Sequence, residues 1–478
     1  MKRKLPAISH QEGKILNSIL VVFLLLSGGL LFSLAFGQHV FPQSSDLIPI
    51  ELQGHKRLLV IAPHCDDETL GAGGAIQEAV QSGMEVKVVI ETNGDGYLFA
   101  TMEDFKRLYP RAQDFIRMGN LRQEESLKAL QSMGVPEDQV LFLSYPDRGT
   151  PALWNVYWSS SKPYRSPYSD STQSPYSRTY NPESVYAGED LLNDLVSIIQ
   201  SYQPDLVIYP HPDDVHPDHW GVSAFTRLAF ATVKRNIPGY QPDEFAYLVH
   251  RPDYPYPKGL HPSQSLLPPV ALFNLDRLWY QLGLGPQAIT GKQKAVMMYR
   301  SQLPLLRSLM ESFVRQNELF AKPQGGQLVP MVDGEPTDPR SWRDSNGNPI
   351  QPIILDPVKD FITRDFLGSA DLTEVDVALY NSDTLALCGG VRVRTSPTLI
   401  YSLRILAVGS QGVVHHTARS HFNSAGSRPV QRMRKYFCDQ VKLADLGDPW
   451  IVFLGADVEE VGTGIIDQTA WQYVEMDN

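Results

Sequence analysis

Cysteine is scarce in this chain, which has only Cys65, Cys388 and Cys438 among 478 residues. Three cysteines exclude the dense disulfide framework that holds small secreted domains together. One bridge, Cys388–Cys438, stays open if the chain works outside the cytosol. Stability must therefore come mainly from apolar cores, which a hydrophobic content of 42% can supply.

An excess of positive charge is also lacking, since the formal net charge is −11. Non-specific binding to DNA or RNA needs a basic surface, so we expect no nucleic-acid partner. The acidity identifies no other partner. Internal repeats are absent too, and a chain of this length predicts two domains or one elaborated domain.

Charged residues are missing from residues 15–36, a 22-residue apolar stretch long enough to span about 30 Å of hydrocarbon as a helix. Four basic residues precede it: Lys2, Arg3, Lys4 and Lys14. No Lys or Arg follows until Lys56, which places the N-terminus in the cytoplasm and the rest outside. We therefore predict a cytoplasmic leader (1–14) and a transmembrane anchor, with the membrane as a partner. The alternative is a cleaved signal segment and a secreted chain.

Strands and helices alternate after a polar spacer at residues 37–55. Four apolar segments read as strands: RLLVIA, EVKVVI, VLFLSY and DLVIYP. Helical patterns separate them, and unbroken apolar strands are typical of parallel sheets that are buried on both faces. We predict an α/β fold with an open, doubly wound (Rossmann-like), mostly parallel sheet over residues 56–321.

Three further regions interrupt or follow this domain. Residues 154–182 are rich in Tyr, Ser and Pro, which indicates either a plain surface loop or a substrate-binding lid. Residues 322–352 are predicted to be a linker. Short alternating runs over 353–478 predict an antiparallel β-sandwich. A carbohydrate-binding role for this sandwich rests on aromatics such as Tyr401 and Trp471, which could equally belong to its core.

Two polar motifs follow apolar strands directly, PHCDDETLGAGG from Pro63 and YPHPDDVHPDHWG from Tyr209. Loops at the carboxyl ends of neighbouring strands meet in one crevice of a doubly wound sheet. Histidines and carboxylates without a set of thiolates suit a catalytic zinc site that keeps an open position. The competing interpretation, that the aspartates cap helix N-termini, explains one or two of them but not so many. We expect the glycines to let the chain turn tightly into the next helix.

These motifs resemble the two signatures of the PIG-L / LmbE-like family of metal-dependent N-deacetylases. Intermediate segments resemble it as well: TNGDG, RQEESLKALQSMG, SYPDRG and KAVMMYRSQ. The resemblance covers residues 56–320, and the N-terminal segment and the β-rich region lie outside it. It implies hydrolysis of the acetamide of an N-acetylated amino sugar.

By this resemblance, His64, Asp67 and His219 bind zinc, with Fe²⁺ or another divalent ion as an alternative. Asp66 would be the general base, and His216 the acid or oxyanion stabiliser. The resemblance also assigns less direct roles to three residues: Asp218 would orient His216, and Arg122 and Asp147 would contact sugar hydroxyls. The chemistry agrees, because zinc lowers the pKa of a bound water to about 7 and a neighbouring carboxylate can accept its proton.

Cys65 stands where the family usually has proline. It could be a fourth ligand, a redox switch or a small residue that packs under the loop, and the last is the simplest. The sequence as a whole predicts an exported, membrane-anchored zinc N-deacetylase that acts on an envelope or extracellular glycan. Two rivals stay open: a zinc hydrolase of another amide or ester, and a catalytically silent glycan-binding protein.

Overall fold

The computed structural model describes residues 41–275, 278–323, 325–358, 367–420, 428–429 and 431–476. The predicted leader and transmembrane segment lie outside these residues. No helix in the described ranges is long and apolar enough to cross a membrane. Over the described residues the fold is an α/β domain followed by a β-rich region, and the fold class is corrected accordingly: the N-terminal transmembrane helix that the sequence predicts is not among the helices described.

An eight-stranded sheet forms the centre of the α/β domain. Its strands are β1 (Ile48–Pro49), β2 (Arg57–Ala62), β3 (Glu85–Thr92), β4 (Val140–Tyr145), β5 (Leu206–Pro210), β6 (Asp243–Tyr247), β7 (Trp279–Gly283) and β8 (Asn317–Ala321). They lie in the order β1-β7-β8-β6-β5-β2-β3-β4. Strands β2 to β6 pair in parallel, whereas β8 pairs antiparallel with β6 and β7. The sheet is therefore mostly parallel, with a mixed edge.

Helices cover the sheet, as the buried apolar strands require. They are α1 (Asp67–Gln81), α2 (Leu98–Asp104), α3 (Ala112–Ser132), α4 (Thr150–Asn155), α5 (Gly188–Tyr202), α6 (Pro217–Asn236), α7 (Val270–Phe273), α8 (Pro286–Val296) and α9 (Leu303–Glu311). The glycines of the first motif lie inside α1 rather than in a turn. A Cβ on Gly71 would lie 2.2 Å from the Tyr247 ring, so glycine here permits close packing and not a tight turn.

Two further sheets make up the β-rich region. One contains β10 (Pro330–Met331), β11 (Ile354–Leu355), β12 (Leu372–Tyr380), β13 (Thr384–Val391), β17 (Gln431–Met433) and β18 (Tyr436–Lys442). The other contains β9 (Gly326–Gln327), β14 (Leu399–Gly409), β15 (Gly412–Arg419), β16 (Arg428–Pro429), β19 (Ile451–Glu460), β20 (Gly464–Gln468) and β21 (Gln472–Glu475). Cys388 on β13 and Cys438 on β18 form a disulfide, the bridge that the composition left open.

The second of these sheets also packs against the α/β domain. Side chains alternate along a strand, and on β19 Val452 and Leu454 enter the core of the β-rich region while Ile451 and Phe453 join a core of the α/β domain. The segment predicted as a linker supplies β9 and β10. The two aromatics considered for sugar binding are buried: the Tyr401 side chain is 0% exposed and that of Trp471 is 7% exposed.

Candidate metal centre and its surroundings

The two polar motifs meet because the order of strands reverses at β2. The chain passes from β2 to β3 and β4 on one side, and then returns to β5 and β6 on the other. Crevices at such a reversal are where open α/β sheets bind ligands. The loop after β2 starts α1, and the loop after β5 starts α6, so the first turns of both helices contribute to one site.

The predicted metal ligands are in contact. Asp67 Oδ2 lies 3.0 Å from His64 Nδ1 and 3.0 Å from His219 Nε2. All three side chains are buried. The described residues contain three groups whose potential donor atoms lie within 4.8 Å of one another: His64 with His216 and His219, Asp67 with His219 and His250, and His64 with Asp147 and Asp218.

Unsatisfied atoms test whether these residues fit a metal ion. Asp67 Oδ1 and His219 Nε2 are buried, and neither has a hydrogen-bond partner among the described residues. The 3.0 Å contact between Asp67 Oδ2 and His219 Nε2 lacks hydrogen-bond geometry, so the two atoms share an interior space without satisfying each other. Buried imidazole and carboxylate atoms without hydrogen-bond partners are suitable ligands for a divalent cation.

The electrostatics of the cluster are dominated by close opposite charges. Burial opposes the ionisation of Asp67, but His219 and His64 outweigh it and hold the Asp67 pKa well below its usual range. Burial also lowers the His219 pKa, yet Asp214 and Asp67 raise it overall to about 9. A carboxylate that stays ionised over the neutral range is a suitable ligand for a cation.

Asp214 holds His219 in position. Its Oδ2 lies 3.1 Å from His219 Nδ1 and accepts hydrogen bonds from the backbone N–H groups of Val249 and His250, each at 2.9 Å. An Nδ1–H donated to this carboxylate leaves the Nε2 lone pair of His219 free for a metal. This is the usual second partner of a metal-binding histidine.

Asp66, the predicted general base, lies beside the cluster and outside the donor groups described above. Arg122 Nη2 is 3.2 Å from Asp66 Oδ2, and the same guanidinium donates to the carbonyls of Cys65 and Gly94, both at 2.8 Å. Gly94 has φ +62°, and a Cβ there would lie 1.8 Å from Arg122 Nη1. The TNGDG turn therefore makes room for Arg122, which in this structure contacts protein groups.

Burial, together with the charges of Asp67 and Glu68, raises the pKa of Asp66 to about 7 despite Arg122. The backbone of Asp66 has φ +145°, a conformation that is strained for a residue with a Cβ. Its carbonyl accepts the first hydrogen bonds of α1, from Thr69 and Leu70, which fix this conformation. The position of the Asp66 carboxyl therefore depends on a strained backbone conformation.

His216 and Asp218 take positions that differ in one respect from the prediction. His216 Nδ1 accepts from the backbone N–H of Asp218 at 3.3 Å, so the backbone of Asp218, and not its carboxylate, orients His216. The Asp218 carboxylate instead lies 3.1 Å from His64 Nε2 and accepts from the N–H groups of Arg148 and Thr150. The His216 ring stands edge-on to His64, with 4.7 Å between centroids.

Asp147, predicted to contact sugar hydroxyls, is buried within the cluster. Its Oδ1 lies 3.3 Å from His64 Nε2, and its Oδ2 accepts from the backbone N–H of Gly96 at 2.7 Å. Burial opposes its ionisation, but His64 lowers its pKa to about 2. The carboxylate therefore contacts His64 directly, on the Nε2 side of the ring.

The loop at residues 154–182 lies at the rim of the site. Tyr168 packs against Phe115, with 5.3 Å between ring centroids. Burial, with the charges of Asp147 and Asp95, raises the Tyr168 pKa despite Arg148, so this phenol lies within electrostatic reach of the site. Tyr164 and Tyr168 remain partly exposed, as groups that meet a ligand must be.

Cys65 and His211 do not join the donor groups. The Cys65 side chain is 0% exposed and belongs to the core beneath the sheet, and burial raises the pKa of its thiol well above the usual value. His211 stacks on Trp279 with its ring 5.5 Å away. The structure thus agrees with a packing role for Cys65.

Two residues of the site were missed by the sequence reasoning. His250 follows β6, and its ring centroid is 4.6 Å from that of His219; burial and the His219 charge lower its pKa to about 4. Glu91 near the end of β3 accepts from Thr150 Oγ1 at 2.6 Å, and burial raises its pKa to about 8. Both lie at or just beyond carboxyl ends of parallel strands, so the rule that located the two motifs could have located them too.

Comparison with known proteins agrees with this geometry. Residues 59–230 match the family model described as PIG-L: GlcNAc-PI de-N-acetylase. A curated relative, the 1D-myo-inositol 2-acetamido-2-deoxy-alpha-D-glucopyranoside deacetylase of Mycobacterium sp. (strain KMS), is 28% identical over 203 residues. The match covers 42% of this chain and 56% of that relative, so the chain spans little more than half the relative's length. Residues 59–230 are therefore similar to a PIG-L family domain.

Two other proteins are similar to part of this chain. The diacetylchitobiose deacetylase of Thermococcus kodakarensis is 23% identical over 218 residues, which cover 42% of this chain and 62% of that protein. The solved N,N'-diacetylchitobiose deacetylase of Pyrococcus horikoshii is 19% identical, with a TM-score of 0.35, over 56% of this chain and 84% of that one. A TM-score this low adds nothing to what the residues of the site imply.

Proposed function

We propose that this protein is a zinc-dependent N-deacetylase that removes acetyl from an N-acetylated amino sugar. The observation that carries the proposal is the contact of Asp67 with both His64 and His219, while the adjacent Asp66 is held by Arg122 instead. The relatives support the sugar, because their names describe deacetylases of an acetamido-glucopyranoside and of diacetylchitobiose.

His64, Asp67 and His219 would hold the metal, because Asp67 Oδ2 contacts both histidines. His250 is a further neutral donor, with its ligand atom within 4.8 Å of those of Asp67 and His219. A divalent ion bound there supplies Lewis acidity and lowers the pKa of water. The identity of zinc rests on the donor set of two histidines and one carboxylate.

Asp66 accepts the proton of the attacking water, because its carboxyl lies outside the donor groups and Arg122 holds it in place. His216 Nδ1 accepts from the backbone N–H of Asp218, and burial together with the charges of neighbouring histidines holds the His216 pKa well below its usual range, so the ring is neutral and carries its proton on Nε2. That Nε2–H donates to the oxyanion of the tetrahedral intermediate, and the departing amine takes the proton that Asp66 accepted from the water.

The substrate in this proposal is an extracytoplasmic glycan or glycoconjugate. The Cys388–Cys438 bridge supports that location, since structural disulfides persist in oxidising compartments.

Acetate release from a panel of N-acetylated sugars tests the proposal, with acetyl esters and acylated peptides in the same panel. We expect release from the sugars, loss after chelation and recovery with Zn²⁺. Turnover of esters or peptides alone would favour the rival hydrolase, and no turnover by metal-loaded protein would favour the silent binding protein.

A further inference from the structure

Tyr168, from the loop at residues 154–182, meets the TNGDG turn beside the candidate metal centre. A Cβ on Gly96 would lie 2.4 Å from Tyr168 Cε2 and 2.7 Å from its Cζ, so the hydroxyl end of the ring lies against the Gly96 backbone. The N–H of Gly96 donates to Asp147 Oδ2 at 2.7 Å, and Asp147 Oδ1 is 3.3 Å from His64 Nε2. One glycine thus connects the phenol to a carboxylate that contacts a predicted metal ligand.

Both the ring and the backbone of Tyr168 are held in place. Phe115 packs against the ring, with 5.3 Å between the centroids. The buried Ser166 accepts at its Oγ from the N–H groups of Tyr168 and Ser169, at 3.2 and 3.3 Å. A side chain that is already fixed loses little conformational freedom when it binds a ligand. The phenol is therefore in position before a ligand arrives.

The hydroxyl of Tyr168 makes no hydrogen bond to another described residue, and its side chain is partly exposed. Tyr176 in the same loop differs, because its buried hydroxyl donates to Asp95 at 2.7 Å. Burial, with the charges of Asp147 and Asp95, raises the Tyr168 pKa despite Arg148, so the phenol stays protonated. Tyr168 thus presents an unused O–H donor at the rim of the site.

The position of this donor suits a sugar hydroxyl better than the acetamide. The His64 ring has Asp67 at its Nδ1 and Asp147 at its Nε2, and the phenol lies on the Asp147 side. The acetamide must lie at the metal ligands, which include Asp67. A phenol and a carboxylate side by side offer one donor and one acceptor, and a hydroxyl group can pair with both.

We propose that Tyr168 is a specificity-determining residue that donates a hydrogen bond to a hydroxyl of the sugar bound at the metal centre. This inference rests on the proposed function and adds the group by which the site tells a sugar from another acetamide. The loop at residues 154–182 is then part of the substrate site and not a plain surface loop.

The test measures kcat/KM of the full chain for N,N'-diacetylchitobiose and for its monodeoxy analogues, each of which lacks one hydroxyl. Tyr168→Phe should lower kcat/KM for the disaccharide by about 3- to 10-fold, the size of one neutral hydrogen bond. For the analogue that lacks the contacted hydroxyl, Tyr168→Phe and wild type should be equal. A loss of the same size for every analogue, or no loss for any, would overturn the role of Tyr168.

Tyr180→Phe provides the matched control. Tyr180 lies in the same loop, but its hydroxyl is 3.3 Å from Ser197 Oγ on α5. Removal of this hydroxyl should leave kcat/KM unchanged for the disaccharide and for every analogue. A loss equal to that of Tyr168→Phe would show a general effect of the loop and overturn the specific contact.

Calorimetric binding of the fully deacetylated disaccharide needs no turnover and separates the two proposals. We expect the metal-loaded wild type and Tyr180→Phe to bind it equally, and Tyr168→Phe to bind it at least about 3-fold more weakly. Acetate release with no effect of Tyr168→Phe on turnover or binding would overturn the inference and leave the deacetylase. Binding that depends on Tyr168, without acetate release from any sugar, would overturn the deacetylase and leave Tyr168 as a sugar contact.

Discussion

Replacement of Asp376 by Asn should stabilise the protein by an amount that grows with pH. Asp376 on β12 is 5% exposed, and its Oδ2 has no hydrogen-bond partner among the described residues. Burial, together with the neighbouring Glu374, raises its pKa from 3.8 to about 8. The folded protein therefore keeps this carboxyl neutral, while the unfolded chain ionises it.

The sign and size of the stabilisation follow from the difference in the Asp376 pKa between the folded and unfolded states. Because the pKa of Asp376 is higher in the folded protein than in the unfolded chain, the stability contributed by this group is fully present below about pH 4 and is lost as the pH rises toward 8. The loss is about 1.4 kcal/mol per pH unit, so at pH 7 it approaches about 4 kcal/mol as an upper bound. Asn cannot ionise and removes this loss.

Urea unfolding of both proteins at pH 5, 6, 7 and 8 measures the effect, because every other titrating group cancels in the difference between them. We expect the stability of Asp376→Asn relative to wild type to rise steadily across this series. The exposed Asp383→Asn provides the matched control and should show no such trend. A difference that is constant with pH would refute a neutral, buried Asp376.

Three further perturbations test the packing and the site. Asp214→Ala should weaken metal binding about 10- to 100-fold in a chelator competition, because His219 loses its orienting partner; unchanged affinity would contradict that role. Glu318→Gln should cost about 3–5 kcal/mol in urea unfolding, since it leaves the Lys292 ammonium buried without its counter-charge; a cost under about 1 kcal/mol would contradict the pair. Cys388→Ser should cost about 2–4 kcal/mol in oxidising buffer and little in reductant, and an equal cost in both would argue against the bridge.

Much of the metal centre could be predicted because parallel strands bring their carboxyl ends together. Unbroken apolar strands that end in His64 and in the second motif were enough to place Asp67 beside His219. His250 was missed because it stands alone after its strand, without the cluster of histidines and carboxylates that marked the two motifs. The site also depends on pairs such as Asp214 with His219. Their contact depends on how the loop folds, and a sequence motif does not specify that.

The relation between the β-rich region and the α/β domain could not be derived from strand patterns alone. The apolar run that contains Ile451 and Phe453 has no polar alternation, and such a strand is buried on both faces. This pattern predicts that another part of the protein covers the second face of the strand, but it does not identify the surface that does so. In the structure the partner includes Trp154 on α4, whose ring centroid is 5.2 Å from that of Phe453.

The most direct test of the account is acetate release by Asp66→Asn protein whose metal content is measured on the same preparation. Asp66 lies beside the donor groups and not among them, so the variant should bind metal as the wild type does. Its rate should fall by about 10²–10⁴-fold, the usual contribution of a general base. Wild-type turnover by the metal-loaded variant would contradict the assignment of Asp66, and with it the proposed mechanism.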